Sequence, residues 1–221
     1  ELARLASQAL RGGLLSGKAG ILNLHLGDGK AGLEPLHRLL ETTDLPLRLF
    51  WPTHINRNPR LFEQGIAYAR MGGVVDFTTS TVPAFLEGGE VACPAGLRRM
   101  LEAGVSPRQV TFTSDGQGSL PGFDAQGCTC GLDVGRMSTL HQAVRDAVFR
   151  EGVPLEQALQ VITSTPASVL QLAGKGRLAP GMDADVVLLD RATLDIHTVI
   201  AKGRIVVEDG SLRVRGSYEH C

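Results

Sequence analysis

The chain has 221 residues, of which 43% are hydrophobic and 20% charged, with a formal net charge of −1. That balance describes a globular protein long enough for one good core, or a core plus a small second unit. It leaves no electrostatic footprint for nucleic acid or an anionic lipid surface, and no run of the sequence reaches the length of a membrane span.

The chain opens at Glu1 without a methionine, and Leu2, Leu5, Ala6, Ala9 and Leu10 already fall at helical spacing. Gly12-Gly13 is the expected stop of that helix. A start in mid-helix is expected of a chain that lacks an N-terminal part. Residues 20–28 (GILNLHLGD) then read as a strand and 32–43 (GLEPLHRLLETT) as a helix. The alternation continues with a strand at 46–51, a helix at 59–73, a strand at 74–80, a Gly-rich loop, and a helix at 92–104. A fourth strand is expected at 109–116, followed by a loop over 117–135, a helix at 138–152, and a helical stretch at 155–174 broken near Pro166.

Apolar strands that each lead into a helix indicate a parallel sheet covered on both faces. Four such units make half of a (β/α)₈ barrel or a small doubly wound sheet. No strand is followed by the G-x-G-x-x-G fingerprint, and no P-loop is present. The reading is therefore an α/β chain: a half barrel over residues 1–173. From 174 to 221 the texture changes to short β-rich runs separated by turns such as Pro180-Gly181 and Asp209-Gly210. This segment is too short for a core of its own and is expected to complete a sheet begun elsewhere. The four cysteines make no disulfide framework, and Cys128 and Cys130 lack zinc-site spacing. They are expected as reduced thiols of a cytoplasmic protein.

The strand ends carry the chemistry. The first expected strand ends at His25, the second at His54, the third at Thr78-Thr79-Ser80 and the fourth at Asp115. In barrels, catalytic groups gather at the C-terminal ends of the strands. Two imidazoles and a carboxylate suit Zn²⁺ or a related divalent ion, which lowers the pKa of bound water to roughly 7. Asp115 is then both a ligand and a proton acceptor. Each residue also has a plain structural reading: a hydrogen-bonded His at a strand end, or an Asp in an Asp-Gly turn. Arg57, three residues after His54, suits bidentate grip of a substrate carboxylate, or a surface salt bridge. Ser119, in a Gly-rich loop, is a candidate donor to a second carboxylate. His37, His141, His197 and His220 are read as solvated or capping residues.

The stretches NLHLGDGK, PTHINRN, FTSDGQGSLPGFD and GKGRLAPGMDADVVLLD together resemble the isoaspartyl (β-aspartyl) dipeptidases of the amidohydrolase superfamily. The resemblance implies strands five to eight of a TIM-type barrel plus a C-terminal piece of a small flanking β-sandwich. It implies a binuclear zinc metalloprotease that hydrolyses β-aspartyl dipeptides and assembles as a homo-oligomer. It also implies His25 and His54 as ligands of the second zinc, and Asp115 as ligand of the first zinc and general acid/base. Arg57 would sit on the leaving-group carboxylate and Ser119 on the α-carboxylate. The family's His-x-His pair is absent from this sequence, and Lys18 is not placed as its bridging carboxylated lysine. Two alternatives stand beside this reading: another amidohydrolase, of the cyclic-amidase or deacetylase kind, and a metal-free half-barrel scaffold without activity.

Overall fold

The computed structural model describes residues 1–124, 126 and 128–216; His220 lies outside them. Two compact units are present, Glu1–Gln171 and a second from Leu172 onward.

In the first unit helices alternate with four short strands. Helix α1 (Leu2–Ser16) precedes β1 (Leu22–His25), and α2 (Glu34–Thr42) precedes β2 (Phe50–Thr53). Helix α3 (Pro59–Arg70) leads to β3 (Val75–Thr78), then a short α4 (Pro83–Glu87) and α5 (Cys93–Glu102) lead to β4 (Val110–Thr113). Strand β1 pairs in parallel with β2, and β3 with β4. Between β2 and β3 side chains make the connection: Thr53 Oγ1 donates to Asp76, and Asn56 Nδ2 to the Thr78 carbonyl at 3.1 Å. The α/β architecture is as expected, with no closed barrel among the described residues.

Side-chain alternation gives these strands two chemically different faces. Phe50, Val75, Phe77, Val110 and Phe112 point toward the helices and join Leu61, Phe62, Leu97 and Met100 in the core. The Phe77 ring lies 5.7 Å from that of Phe62 and 5.8 Å from that of Phe112. The opposite face presents Trp51, Thr53, Asp76, Thr78, Thr111 and Thr113. It is held by hydrogen bonds, among them Trp51 Nε1 to Thr111 Oγ1 at 3.0 Å.

Two expectations need correction, on α1 and on the loop over 117–135, while the expected break near Pro166 is present. Helix α1 runs through Gly12-Gly13 and ends at Gly17, whose φ of 65° gives the left-handed cap, with Lys18 N–H donating to the Gly13 carbonyl at 2.9 Å. Gly13 instead allows close approach, since a Cβ there would stand 2.6 Å from Gly20 Cα. The expected loop over 117–135 is an antiparallel hairpin, β5 (Ser119–Phe123) with β6 (Thr129–Val134). After α6 (Thr139–Phe149), the helical stretch divides into α7 (Leu155–Gln160) and α8 (Ser164–Val169). Pro166 lies in the first turn of α8, where a missing N–H is tolerated, so the break precedes it.

In the second unit β7 (Val186–Leu189), β8 (Ile196–Ala201), β9 (Arg204–Glu208) and β10 (Ser211–Leu212) form one antiparallel sheet in the order β10-β9-β8-β7. Lys202-Gly203 and Asp209-Gly210 make its tight turns, all four with positive φ.

Candidate metal and substrate site at the strand ends

The heptapeptide Pro52–Asn58 is a compact device for placing two side chains. Strand β2 stops at Thr53, and His54 adopts φ 65°, a left-handed conformation that His takes more readily than most residues. A single 3-10 turn, Ile55–Arg57, follows, closed by Arg57 N–H to the His54 carbonyl at 3.0 Å. Asn58 then caps α3 by accepting from Leu61 N–H at 2.9 Å, with Pro59 at the first helical position. His54 is thereby fixed over the end of β2, and Arg57 one turn beyond it.

Residue pairing puts His25 beside Thr53 across the β1–β2 ladder. His25 Nδ1 and His54 Nε2 lie 3.0 Å apart, with ring planes at 66°. The other ring nitrogen of His54, Nδ1, shares a hydrogen bond with the Thr78 hydroxyl of the next strand. Burial holds the His54 imidazole down to about 4; the Arg57 and His25 charges push the same way and the Asp115 carboxylate opposes them. His54 is therefore neutral near pH 7, the form that ligates metals. Two nitrogens bound to one tetrahedral zinc at ~2.0–2.1 Å stand about 3.3 Å apart. The observed pair fits a shared cation with little movement, and the Thr78 contact is the kind of outer partner that orients a ligating His.

Asp115 lies two residues past β4, with φ 49°. Its turn is closed by Gly118 N–H to the Asp115 carbonyl at 2.9 Å and clamped to the hairpin by Gln117 N–H to Gly135 O and Gly135 N–H to Gly118 O. A Cβ on Gly135 would stand 2.4 Å from Asp115 O. The carboxylate is near enough to act on the His54 charge. Among the described residues, however, no three His, Cys, Asp or Glu side chains converge in a metal-holding group. Two of the three expected donors are thus in contact, and the third is a neighbour.

Arg57 pairs with a residue that sequence reading passed over. Its Nη1 lies 3.2 Å from Glu90 Oε2, and its guanidinium sits over the Phe85 ring at 5.7 Å. Burial pushes the Glu90 carboxyl up, while a hydrogen bond from Thr81 and the Arg57 charge pull it back. Ser119 is exposed at the start of β5. Beside the hairpin is a cavity of about 630 Å³ lined by Ser80, Gln117, Leu120, Arg136 and Thr139 among others.

Two further residues escaped the sequence. Asn56 Oδ1 accepts from Thr78 N–H at 2.9 Å, and its amide reaches the Thr78 and Val91 carbonyls. Asp76 is fully buried and accepts from the hydroxyls of Thr53, Thr111 and Thr113. The only sequence signal for Asp76 is a carboxylate inside an apolar strand, VVDFTTS. His37 is an edge partner of the Tyr68 ring at 6.2 Å, and His197 Nε2 is 3.1 Å from Asp209.

The model of the amidohydrolase family matches residues 94–206, just over half of the chain, and the chain belongs to that family. The matched span includes Asp115 and Ser119 but not His25, His54 or Arg57. A β-aspartyl dipeptidase from Fervidobacterium islandicum AW-1, solved in complex with the β-Asp-Leu dipeptide, is 38% identical with a TM-score of 0.88. The match covers 98% of this chain and 55% of that one. A second structure of a β-aspartyl dipeptidase from the same organism is 34% identical, with a TM-score of 0.83, covering 98% of this chain and 53% of that one. An adenine deaminase from Ruegeria sp. (strain TM1040) is 33% identical over 122 residues, 54% of this chain and 18% of the deaminase. The chain thus spans about half the length of the dipeptidases and under a fifth of the deaminase.

Proposed function

We propose that the intact protein hydrolyses β-aspartyl dipeptides and that this chain contributes strands five to eight of its barrel. The contact between His25 and His54 at the ends of adjacent strands carries the reading. The dipeptidase similarity, which extends across this region, gives it a substrate class. His25, His54 and Asp115 are the residues that would hold divalent metal, with Zn²⁺ the ion their donor set suits. The ion supplies Lewis acidity and lowers the pKa of water to roughly 7.

The chain's own residues do the rest. Asp115 accepts a proton from the attacking water and returns it to the departing amine. Arg57 binds the carboxylate of the leaving amino acid through the N–H groups not engaged by Glu90. Ser119, exposed at the start of β5, donates to the α-carboxylate of the aspartyl half. The metal ligands that the resemblance adds, a His-x-His pair and a bridging lysine, have no counterpart in this chain.

The test is an assay of the intact, zinc-loaded protein on β-Asp-Leu beside cyclic amides and N-acetyl sugars. Turnover of β-Asp-Leu is expected, lost in Asp115→Asn. Turnover of a cyclic amide or an acetylated sugar with β-Asp-Leu untouched would replace this reading by that of another amidohydrolase.

A further inference from the structure

We propose that Glu90 is the positioning residue for Arg57, fixing the guanidinium so that one edge stays open to a substrate carboxylate. The inference rests on the role assigned to Arg57 above and concerns what makes that arginine selective.

The two side chains differ in burial. That of Glu90 is 3% exposed and that of Arg57 is 23% exposed. An arginine pairing with an exposed carboxylate keeps its rotamer freedom, and such pairs contribute little. Here the carboxylate belongs to a segment anchored at both sides. Glu90 N–H donates to the Phe85 carbonyl at 2.9 Å, and the next residue, Val91, donates its N–H to the Asn56 carbonyl at 2.8 Å. Asn56 itself lies in the 3-10 turn that carries Arg57. The segment from Phe85 to Val91 therefore closes back on that turn, and the carboxylate is part of the frame.

Two constraints then act on one guanidinium. Glu90 holds Nη1, and the guanidinium carbon lies over the Phe85 ring, 5.7 Å from its centroid. A guanidinium has five N–H donors in a fixed fork. A single contact at Nη1 leaves the remaining donors for a carboxylate, and ordering the side chain beforehand removes an entropic cost from substrate binding. The opposite role, a counter-ion that competes with substrate, predicts the opposite sign when Glu90 is removed.

The experiment compares β-Asp-Leu with its C-terminal amide in the intact protein. Wild type is expected to prefer the acid. Glu90→Ala is expected to raise KM for the acid about tenfold, the loss of roughly one oriented charged contact, with kcat within about twofold and KM for the amide unchanged. Glu90→Gln, which keeps the volume and one acceptor, is expected to recover part of the acid's KM. If Glu90→Ala does not fold, Glu90→Gln decides alone: a rise of about threefold or more confined to the acid supports the proposal, and no such rise overturns it. A lower or unchanged KM for the acid in Glu90→Ala, or equal weakening of acid and amide, overturns it too. Arg57→Ala separates the two levels. If it leaves the acid preference intact, the role of Arg57 fails; if it abolishes the preference while Glu90→Ala does not, only the positioning role fails.

Discussion

His25 Nδ1 faces His54 Nε2 across 3.0 Å, although the residues are 29 positions apart in sequence. The ladder between β1 and β2 sets their heights, and the left-handed turn at His54 swings its ring back toward β1. Such a contact is a weak reason for two imidazoles to coexist and a good one for sharing a cation. In the intact protein, His54→Ala is expected to lower bound zinc, measured by plasma mass spectrometry after dialysis. His197→Ala, whose ring is paired with Asp209, is expected to leave zinc content unchanged. Chelation should remove activity and added Zn²⁺ restore it. Equal zinc in His54→Ala and wild type would separate this pair from any metal.

Asp76 gives a pH prediction of its own. The carboxyl is buried among three threonine hydroxyls, and burial lifts it to about 6, with those hydrogen bonds and the His25 charge pulling it back. The native state then holds a proton that the unfolded chain, titrating near 3.8, releases. Stability from this group is present below about pH 4 and is lost as pH rises through about 6. Against wild type, Asp76→Asn should therefore gain relative stability between pH 4 and 6.5, by up to about 3 kcal/mol. Urea midpoints at several pH values read this directly. A difference that stays constant with pH would mean that Asp76 ionises in the folded protein as it does in the unfolded chain.

The site residues were legible where the signal was local. Strand, His, one turn, Asn cap and Pro are adjacent in PTHINRNP, so the end of β2 and the start of α3 follow from side-chain chemistry alone. The side-chain hydrogen bonds of Asn56 and Asp76 and the ion pair of Glu90 with Arg57 reach residues 22 to 37 positions away, and no periodicity records such partners. The hairpin was hidden for another reason. Its strands contain Gly122 and Gly131, and Pro121 interrupts the first, so turn chemistry masked the two-residue alternation. At Gly12-Gly13 the residue type was read as a stop, whereas the small size serves a contact with Gly20.

The cysteines divide by environment. Cys93 is buried with Sγ 3.0 Å from the Thr78 carbonyl, and burial pushes its thiol well above the usual range. Cys128 and Cys130 are exposed on the hairpin. Iodoacetamide on the native protein should label Cys128 and Cys130 within minutes and leave Cys93 unmodified until denaturant is added. Peptide mapping by mass spectrometry assigns each site. Rapid native labelling of Cys93 would show that the end of β3 opens.

Gly135 connects the hairpin to the candidate site. Its missing side chain leaves room for Asp115 O at 2.4 Å and Ser80 Oγ at 3.0 Å from where a Cβ would stand. Both neighbours are constrained: the Ser80 hydroxyl donates to the Ser114 carbonyl, and the Asp115 backbone closes its own turn. A methyl group at this position must displace the backbone that carries the Asp115 carboxylate. Gly135→Ala is expected to cost about 1–3 kcal/mol of stability, the usual range for overpacking. It should also lower kcat on β-Asp-Leu by more than the loss of folded protein explains. By contrast, Gly131→Ala on the same hairpin, where a Cβ meets nothing within 4 Å, should leave kcat and stability close to wild type. Equal behaviour of the two variants in chemical denaturation and steady-state kinetics would mean that the hairpin does not hold Asp115 in place.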